Sequence, residues 1–247
     1  MKDADGFTFF GDLLGISGAY RLSASIAYDK LNEFYRTTFN SISAYCQGNP
    51  DLQVNLFSDS ILIWGTNAEK ILEQLAQIYV KLSHKGILLR GAIVDKQLQI
   101  DPRIRLENFE KFLPTNDTLA RAVGLEKTEK GARLLIAPAL AESLLADHRD
   151  WLSVEGYIDN PKPQVPLRSV LRRICPTPSG NSYELLYYWI QAGALAHDEL
   201  DYAEAKRRLK EIAEYLQPES SVHYKETVGL LKRCELRQKR TDCELAP

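Results

Sequence analysis

Two aspartates carry the first chemical signal in the chain. Asp12 follows an apolar, β-favouring run through Phe9 and Phe10, with Gly11 between, and Gly15 comes three residues later, just before a helical pattern begins. That order describes a strand delivering a carboxylate to its end. A tight turn over Leu13, Leu14, Gly15, Ile16 and Ser17 follows, whose backbone N–H groups can face phosphate oxygens. Asp59 lies 47 positions further on, between two apolar runs in Phe57-Ser58-Asp59-Ser60, at the tip of an expected hairpin. If that hairpin pairs beside the first strand, both carboxylates reach one sheet edge. Two close carboxylates repel, so such an edge calls for a divalent cation. Oxygen ligands without His or Cys favour Mg²⁺ or Mn²⁺ over zinc. Two such ions beside a phosphate turn can activate a hydroxyl and steady a pyrophosphate leaving group in an in-line displacement at phosphorus. Two ordinary turn aspartates would leave the same trace, and only the surrounding pattern separates the readings.

Composition narrows the setting. The 247 residues are 45% hydrophobic and 26% charged, an ordinary globular balance with room for one large domain or a domain plus an appendage. A formal net charge of −2 gives no global basic field for nucleic acid or an anionic membrane, so neither is expected as a partner. No apolar run approaches the roughly 18 residues that cross a bilayer, and the charged start carries no secretory segment, so a cytoplasmic protein is expected. Cys46, Cys175, Cys234 and Cys243 form no C-x-x-C pair and read as reduced thiols. His84, His148, His197 and His223 are equally scattered and read as surface or helix-end residues rather than ligands.

The elements that must position the two acids can be taken in order. Apolar residues recur at helical spacing through residues 20–46, which predicts one long helix ended by Gly48-Asn49-Pro50. Residues 52–57 and 61–64 form the hairpin, and residues 68–84 form a second helix stopped by Gly86. Residues 87–94 read as a buried strand, 95–108 as polar and unassigned, 116–127 as a helix capped by Asn116 or Asp117, 132–137 as a strand and 138–145 as a short helix. Pro-rich stretches at 159–166 and 175–181 suggest a connector, and helices are expected near 182–196, 201–216 and 221–238. Strand, helix, hairpin, helix, strand suits an antiparallel or mixed α+β sheet with helices on one face. The expected organisation is a catalytic domain at 1–145, a connector at 146–181 and a helical region at 182–247.

Phe10-Gly11-Asp12-Leu13-Leu14-Gly15-Ile16-Ser17 resembles the first metal motif of class III nucleotide cyclases, and Phe57-Ser58-Asp59-Ser60 resembles their second. Arg90-Gly91-Ala92-Ile93 matches the strand that follows, and residues 118–126 stand where these lyases carry a late catalytic helix. The resemblance covers about residues 6–145. It implies a ferredoxin-like cyclase core working as a head-to-tail homodimer with sites at the subunit interface. In it Asp12 and Asp59 bind two Mg²⁺ or Mn²⁺ ions, assisted by the Leu13 carbonyl, while a nucleoside triphosphate 3′-hydroxyl attacks its own α-phosphate.

The departures from that pattern are informative. The base-reading position four residues before Asp59 holds Asn55, and the second base reader falls on Leu113, so a purine loses both usual partners. The transition-state Asn and Arg align with Ala120 and Gly124, leaving Arg121 and Arg90 as candidate cations for the developing charge. These substitutions resemble the pyrimidine cyclases of bacterial Pycsar antiphage systems. That likeness implies cyclic UMP, or cyclic CMP, made as a second messenger for a separately encoded effector. Asn55 can present donor and acceptor together to either base. An adenylate or guanylate cyclase with atypical base contacts, and an inactive cyclase-like module that binds a nucleotide or partner, remain as alternatives.

Overall fold

The computed structural model describes residues 6–101, 111–146, 151–152, 165–166, 171–177, 180–185 and 202–244. In chain order the elements are β1 (Phe7–Leu13), α1 (Ile16–Leu22), α2 (Ala24–Gly48), β2 (Gln53–Phe57), β3 (Ser60–Gly65), α3 (Ala68–His84), β4 (Leu89–Asp95) and α4 (Thr118–Glu126). They continue with β5 (Leu134–Ile136), α5 (Pro138–Ala146), β6 (Trp151–Leu152), β7 (Val165–Pro166), β8 (Leu171–Thr177), β9 (Gly180–Leu185), α6 (Tyr202–Glu214) and α7 (Pro218–Glu244).

Seven strands form one sheet in the order β2-β3-β1-β4-β5-β9-β8, and a separate two-stranded ladder joins β6 to β7. The first four strands are antiparallel to their neighbours, whereas β4 and β5 run parallel. Two strand–helix passes joined by the β2–β3 hairpin give this order the ferredoxin-like topology, so the expected α+β class holds. The period-2 alternation of β1 places Phe7 and Phe9 on one face, buried with Ile61, Ile63 and the α3 residues Ile71, Leu75 and Tyr79. Phe10 points to the opposite face, where it packs with Leu62, Trp64, Leu98 and Leu119 beneath α4. Asp12 has the same parity as Phe10, and so belongs to that second face.

Helix α3 follows its sequence pattern closely. Ile71, Leu72, Leu75, Ile78, Tyr79 and Leu82 are buried, Asn67 caps the first turn by accepting from the Lys70 N–H at 2.9 Å, and Gly86 follows with φ 69°. The long helix expected at 20–46 is instead two helices. Ser23 breaks it with extended backbone (φ −167°, ψ 140°), and its hydroxyl accepts from the Ser25 N–H at 3.1 Å to start α2. At the late helix, Asp117 occupies the cap position without a side-chain bond, while Asn116 accepts from the Thr118 hydroxyl at 2.9 Å.

The C-terminal half departs further. Residues 171–177, expected within the connector, and 180–185, expected to end the connector and open a helix at 182, are strands β8 and β9. Pairing of Leu135 with Glu184 and of Ile136 with Tyr183 adds them to the core sheet. The sheet therefore extends beyond the boundary expected at residue 145. The remainder of the 182–196 helix, part of the 95–108 stretch (102–108), most of the Pro-rich connector, His148 and His197 lie outside the described residues. Helices α6 and α7 do form, and bury Ala205, Leu209, Tyr224, Val228 and Leu231 in the main core. A charge network fastens α7 to the sheet: Arg133 donates to Glu184 at 2.8 Å and to Glu226 at 3.2 Å, and Arg233 reaches Glu184 at 3.1 Å. Among the described residues no helix is long and apolar enough to cross a membrane.

Candidate active site

The register places Asp12 opposite Ser60 on β3 and Arg90 on β4. The Ser60 hydroxyl donates to Asp12 Oδ1 at 2.9 Å. Glycine shapes the strands behind this carboxylate. Gly11 faces Gly91 across the β1–β4 ladder, and a Cβ on Gly91 would come within 2.7 Å of the Phe9 ring, so the ring fills the space both glycines leave. The hairpin tip is only Ser58-Asp59, because Phe57 already pairs with Ser60. Ser58 takes a left-handed φ of 54°, a conformation costing an L residue roughly 1–2 kcal/mol. The tip is tied to β1 by the Leu13 N–H, which donates to the Asp59 carbonyl at 2.8 Å. Asp59 is thereby brought beside Asp12.

Electrostatics record that closeness. Burial raises the Asp12 pKa above the usual carboxylate value, the Ser60 hydrogen bond opposes it, the Asp59 charge adds to the rise, and Arg90 and Lys127 pull it back. Two carboxylates, one of them half-buried and already disfavoured as an anion, form a hard-oxygen site that a divalent cation would relieve. Among the described residues no cluster of three or more His, Cys, Asp or Glu surrounds them, so Asp12 and Asp59 are the side chains available for such an ion.

The β1–α1 turn differs from the expected open cradle. The Leu13 N–H is spent on Asp59, and the Leu14 N–H donates to the Leu88 carbonyl at 2.8 Å. Only Gly15, Ile16 and Ser17 continue the turn as the start of α1, whose cap residue Gly15 sits at φ 83°, where a side chain would be strained, and makes no side-chain cap bond.

The two candidate arginines are also otherwise engaged. Arg90 borders Asp12, but its Nε donates to Glu126, a buried acid at the end of α4. Burial raises the Glu126 pKa and Arg90 opposes that rise. Arg121 pairs with Asp95, at the far end of β4. Asp95 stands opposite Phe7, five residues along β1 from Asp12, or roughly 17 Å at strand rise, so Arg121 does not reach the acids of its own protomer.

Sequence reasoning missed other cations. Lys30 on α2 and Arg21 on α1 line a cavity of about 860 Å³ that also holds Asp12, Asp59 and the residues from Leu13 to Ser17. Burial lowers the Lys30 pKa, and no carboxylate among the described residues is within ion-pair distance of it. Lys127, just past α4, adds an exposed positive charge felt by Asp12. Helical spacing in residues 20–46 hid Lys30 among ordinary polar positions. The far wall of the cavity comes from the turn between α6 and α7, with Tyr215 and Gln217, and from the start of α7, with Ser220 and His223. The base-reading candidates stand apart from it. Asn55 is exposed on β2 opposite Leu62, and Leu113 is exposed beside Phe112.

Sequence comparison finds no match among protein-family models or curated proteins. Comparison of structures does. The non-canonical dimeric guanylyl cyclase domain of the RhoGC fusion protein from Blastocladiella emersonii aligns over 73% of this chain and 95% of its own, with TM-score 0.52 and 12% identity. The guanylate cyclase domain of RhGC from Catenaria anguillulae, solved in complex with GTP, aligns over 75% and 98% respectively, with TM-score 0.52 and 12% identity. An adenylate cyclase from Trypanosoma brucei in its monomeric state aligns over 79% and 93%, with TM-score 0.51 and 12% identity. The fold is that of class III nucleotide cyclase domains.

Proposed function

We propose that this chain is a class III-type nucleotide cyclase that converts a pyrimidine nucleoside triphosphate, UTP before CTP, to its 3′,5′-cyclic monophosphate and pyrophosphate. The observation that carries the reading is the Asp12–Asp59 pair, held where the end of β1 meets the tip of the β2–β3 hairpin by the Ser60 and Leu13 hydrogen bonds. Asp12 and Asp59, with the Leu13 carbonyl, would hold Mg²⁺ or Mn²⁺, which supplies charge neutralisation and a more acidic 3′-hydroxyl. That hydroxyl gives up its proton to water and attacks the α-phosphorus, the bond to the bridging oxygen breaks, and pyrophosphate leaves. Lys30 and Arg21 offer positive charge to the phosphates from the cavity wall, with Lys127 nearby, in place of the paired Arg90. Gly15, Ile16 and Ser17 supply the turn for the terminal phosphates, a smaller cradle than the five-residue one the sequence suggests.

Base choice rests on Asn55 and Leu113. Asn55 pairs donor with acceptor and suits a pyrimidine edge, while the apolar Leu113 offers no hydrogen bond to a purine. Dimerisation draws support from the second sheet face, where Phe57 is 49% exposed and Phe112, 45% exposed, stands edge-on to Trp64. In a head-to-tail dimer, Arg121 would serve the partner's site, which accounts for its distance from Asp12. A role in antiphage defence through a separate effector follows from the sequence resemblance alone. Incubating the purified protein with each of the four ribonucleoside triphosphates and Mn²⁺, then separating products, tests the reading. Cyclic UMP that disappears in Asp59→Ala is expected; a purine product would transfer the reading to an adenylate or guanylate cyclase, and no cyclic product at all would leave a binding module.

A further inference from the structure

The α6–α7 turn and the first turns of α7 form one wall of the cavity that holds Asp12 and Asp59, and that wall is firmly held. The Tyr224 hydroxyl donates to the Gly86 carbonyl at 3.0 Å, and the Thr227 hydroxyl accepts from the Ala132 N–H at 2.9 Å. His223, next to these anchors in sequence, lines the cavity together with Tyr224. Its Nδ1 accepts a hydrogen bond from the Gly131 N–H at 3.2 Å, which leaves the ring proton on Nε2. No described residue accepts from Nε2, that atom is not among the buried side-chain atoms lacking a partner, and His223 is one of the residues that line the cavity. Burial, together with the charges of Arg90 and Lys130, pushes the His223 pKa down to about 4, so the ring is neutral near pH 7. A neutral imidazole of fixed tautomer is a one-way donor and selects an acceptor.

The rest of the lining tells which acceptor. Lys30 and Arg21 bring positive charge and Gln217 and Ser220 bring further polar groups, while Glu219 is the acid on the hairpin wall. Asn55 and Leu113, the candidate base readers, do not line the cavity. We propose that His223 donates from Nε2 to a phosphate oxygen of the bound nucleoside triphosphate, which makes the α6–α7 hairpin a working part of the substrate site. The proposal rests on the nucleotide reading above, and it assigns a task to the C-terminal helices.

The decisive variant is His223→Asn, whose side-chain oxygen can still accept from Gly131 while the donor to the cavity is lost. His223→Gln extends an amide to the Nε2 position and keeps that donor. Binding of 3′-deoxy-UTP, which cannot cyclise, and of inorganic pyrophosphate is measured by calorimetry with Mn²⁺, alongside melting temperatures. His223→Asn is expected to weaken both ligands roughly tenfold, the size of one hydrogen bond to a charged group, with partial recovery in His223→Gln. Wild-type affinity in His223→Asn would overturn the role of His223 and leave the cyclase reading standing. Failure of the wild type to bind any nucleoside triphosphate would overturn both. Nitrogen NMR of the wild-type ring tests the same point independently of any variant's folding: an Nε2–H tautomer whose Nε2 signal moves on adding 3′-deoxy-UTP supports the assignment, whereas an Nδ1–H tautomer or an unmoved signal overturns it.

Discussion

Glu184 and Asp12 are both acids that the fold draws away from water, and their surroundings differ. Glu184 is fully buried on β9, where Arg133 donates to its Oε2 and Arg233 to its Oε1. Arg133 in turn reaches Glu226 and the Lys130 carbonyl, so charge is answered by charge across three elements. Asp12 receives one hydroxyl, from Ser60, and faces a second acid, while the adjacent Arg90 is turned toward Glu126. A buried acid with its cations built in holds elements together. An acid left beside another acid, with cations set back along a cavity wall, is completed by something from outside. The first arrangement joins the C-terminal helix to the sheet, and the second is where ligand chemistry belongs.

Removing one acid from each region is the strongest way to break that contrast. Asp59→Ala should lower cyclisation by on the order of a thousandfold, the rate equivalent of several kcal/mol, with little change in melting temperature. A large drop in melting temperature with turnover per folded molecule retained would place Asp59 with the structural acids. Glu184→Ala should do the reverse. It leaves Arg133 buried without its main partner and should destabilise the fold by about 3–5 kcal/mol in urea titrations, while turnover per folded molecule survives. A loss below about 1 kcal/mol would show that the network around Glu184 is dispensable.

The catalytic edge needs its partner protomer if the site is shared, and the Glu184 network does not. Turnover per protomer should therefore fall on dilution past dimer dissociation, and Phe57→Asp should move that fall to higher protein concentration. A rate unaffected by dilution, followed by assay and sedimentation together, would mean that one protomer holds a complete site.

The smallest effect expected is in pH. His223 has a folded-state pKa near 4 against an ordinary value of 6.5, so the unfolded chain binds more protons between those values. Stability from this residue is present above about pH 6.5 and is lost as pH falls toward 4. The urea midpoint should rise from pH 4.5 to pH 6.5, and the rise should be shallower in His223→Asn. Equal slopes in the two proteins would remove His223 as the source.

The sequence by itself determined the elements whose periodicity is local and strong. The strand ending in Asp12, the hairpin tip at Asp59 and the buried stripe of α3 from Ile71 to Leu82 stand where spacing placed them, because alternation and helical recurrence are written in neighbouring residues. The meeting of Asp12 with Asp59 was legible only on the condition that the hairpin pairs beside β1, and the β1–β3 register meets that condition. Tertiary structure decided what depends on distant partners. Residues 180–185 became a strand because β5 offered its free edge, which no local pattern records. Arg90 and Arg121 found Glu126 and Asp95, and His223 found Gly131, 92 positions away, because side-chain pairing is settled only when the faces that carry it are packed together.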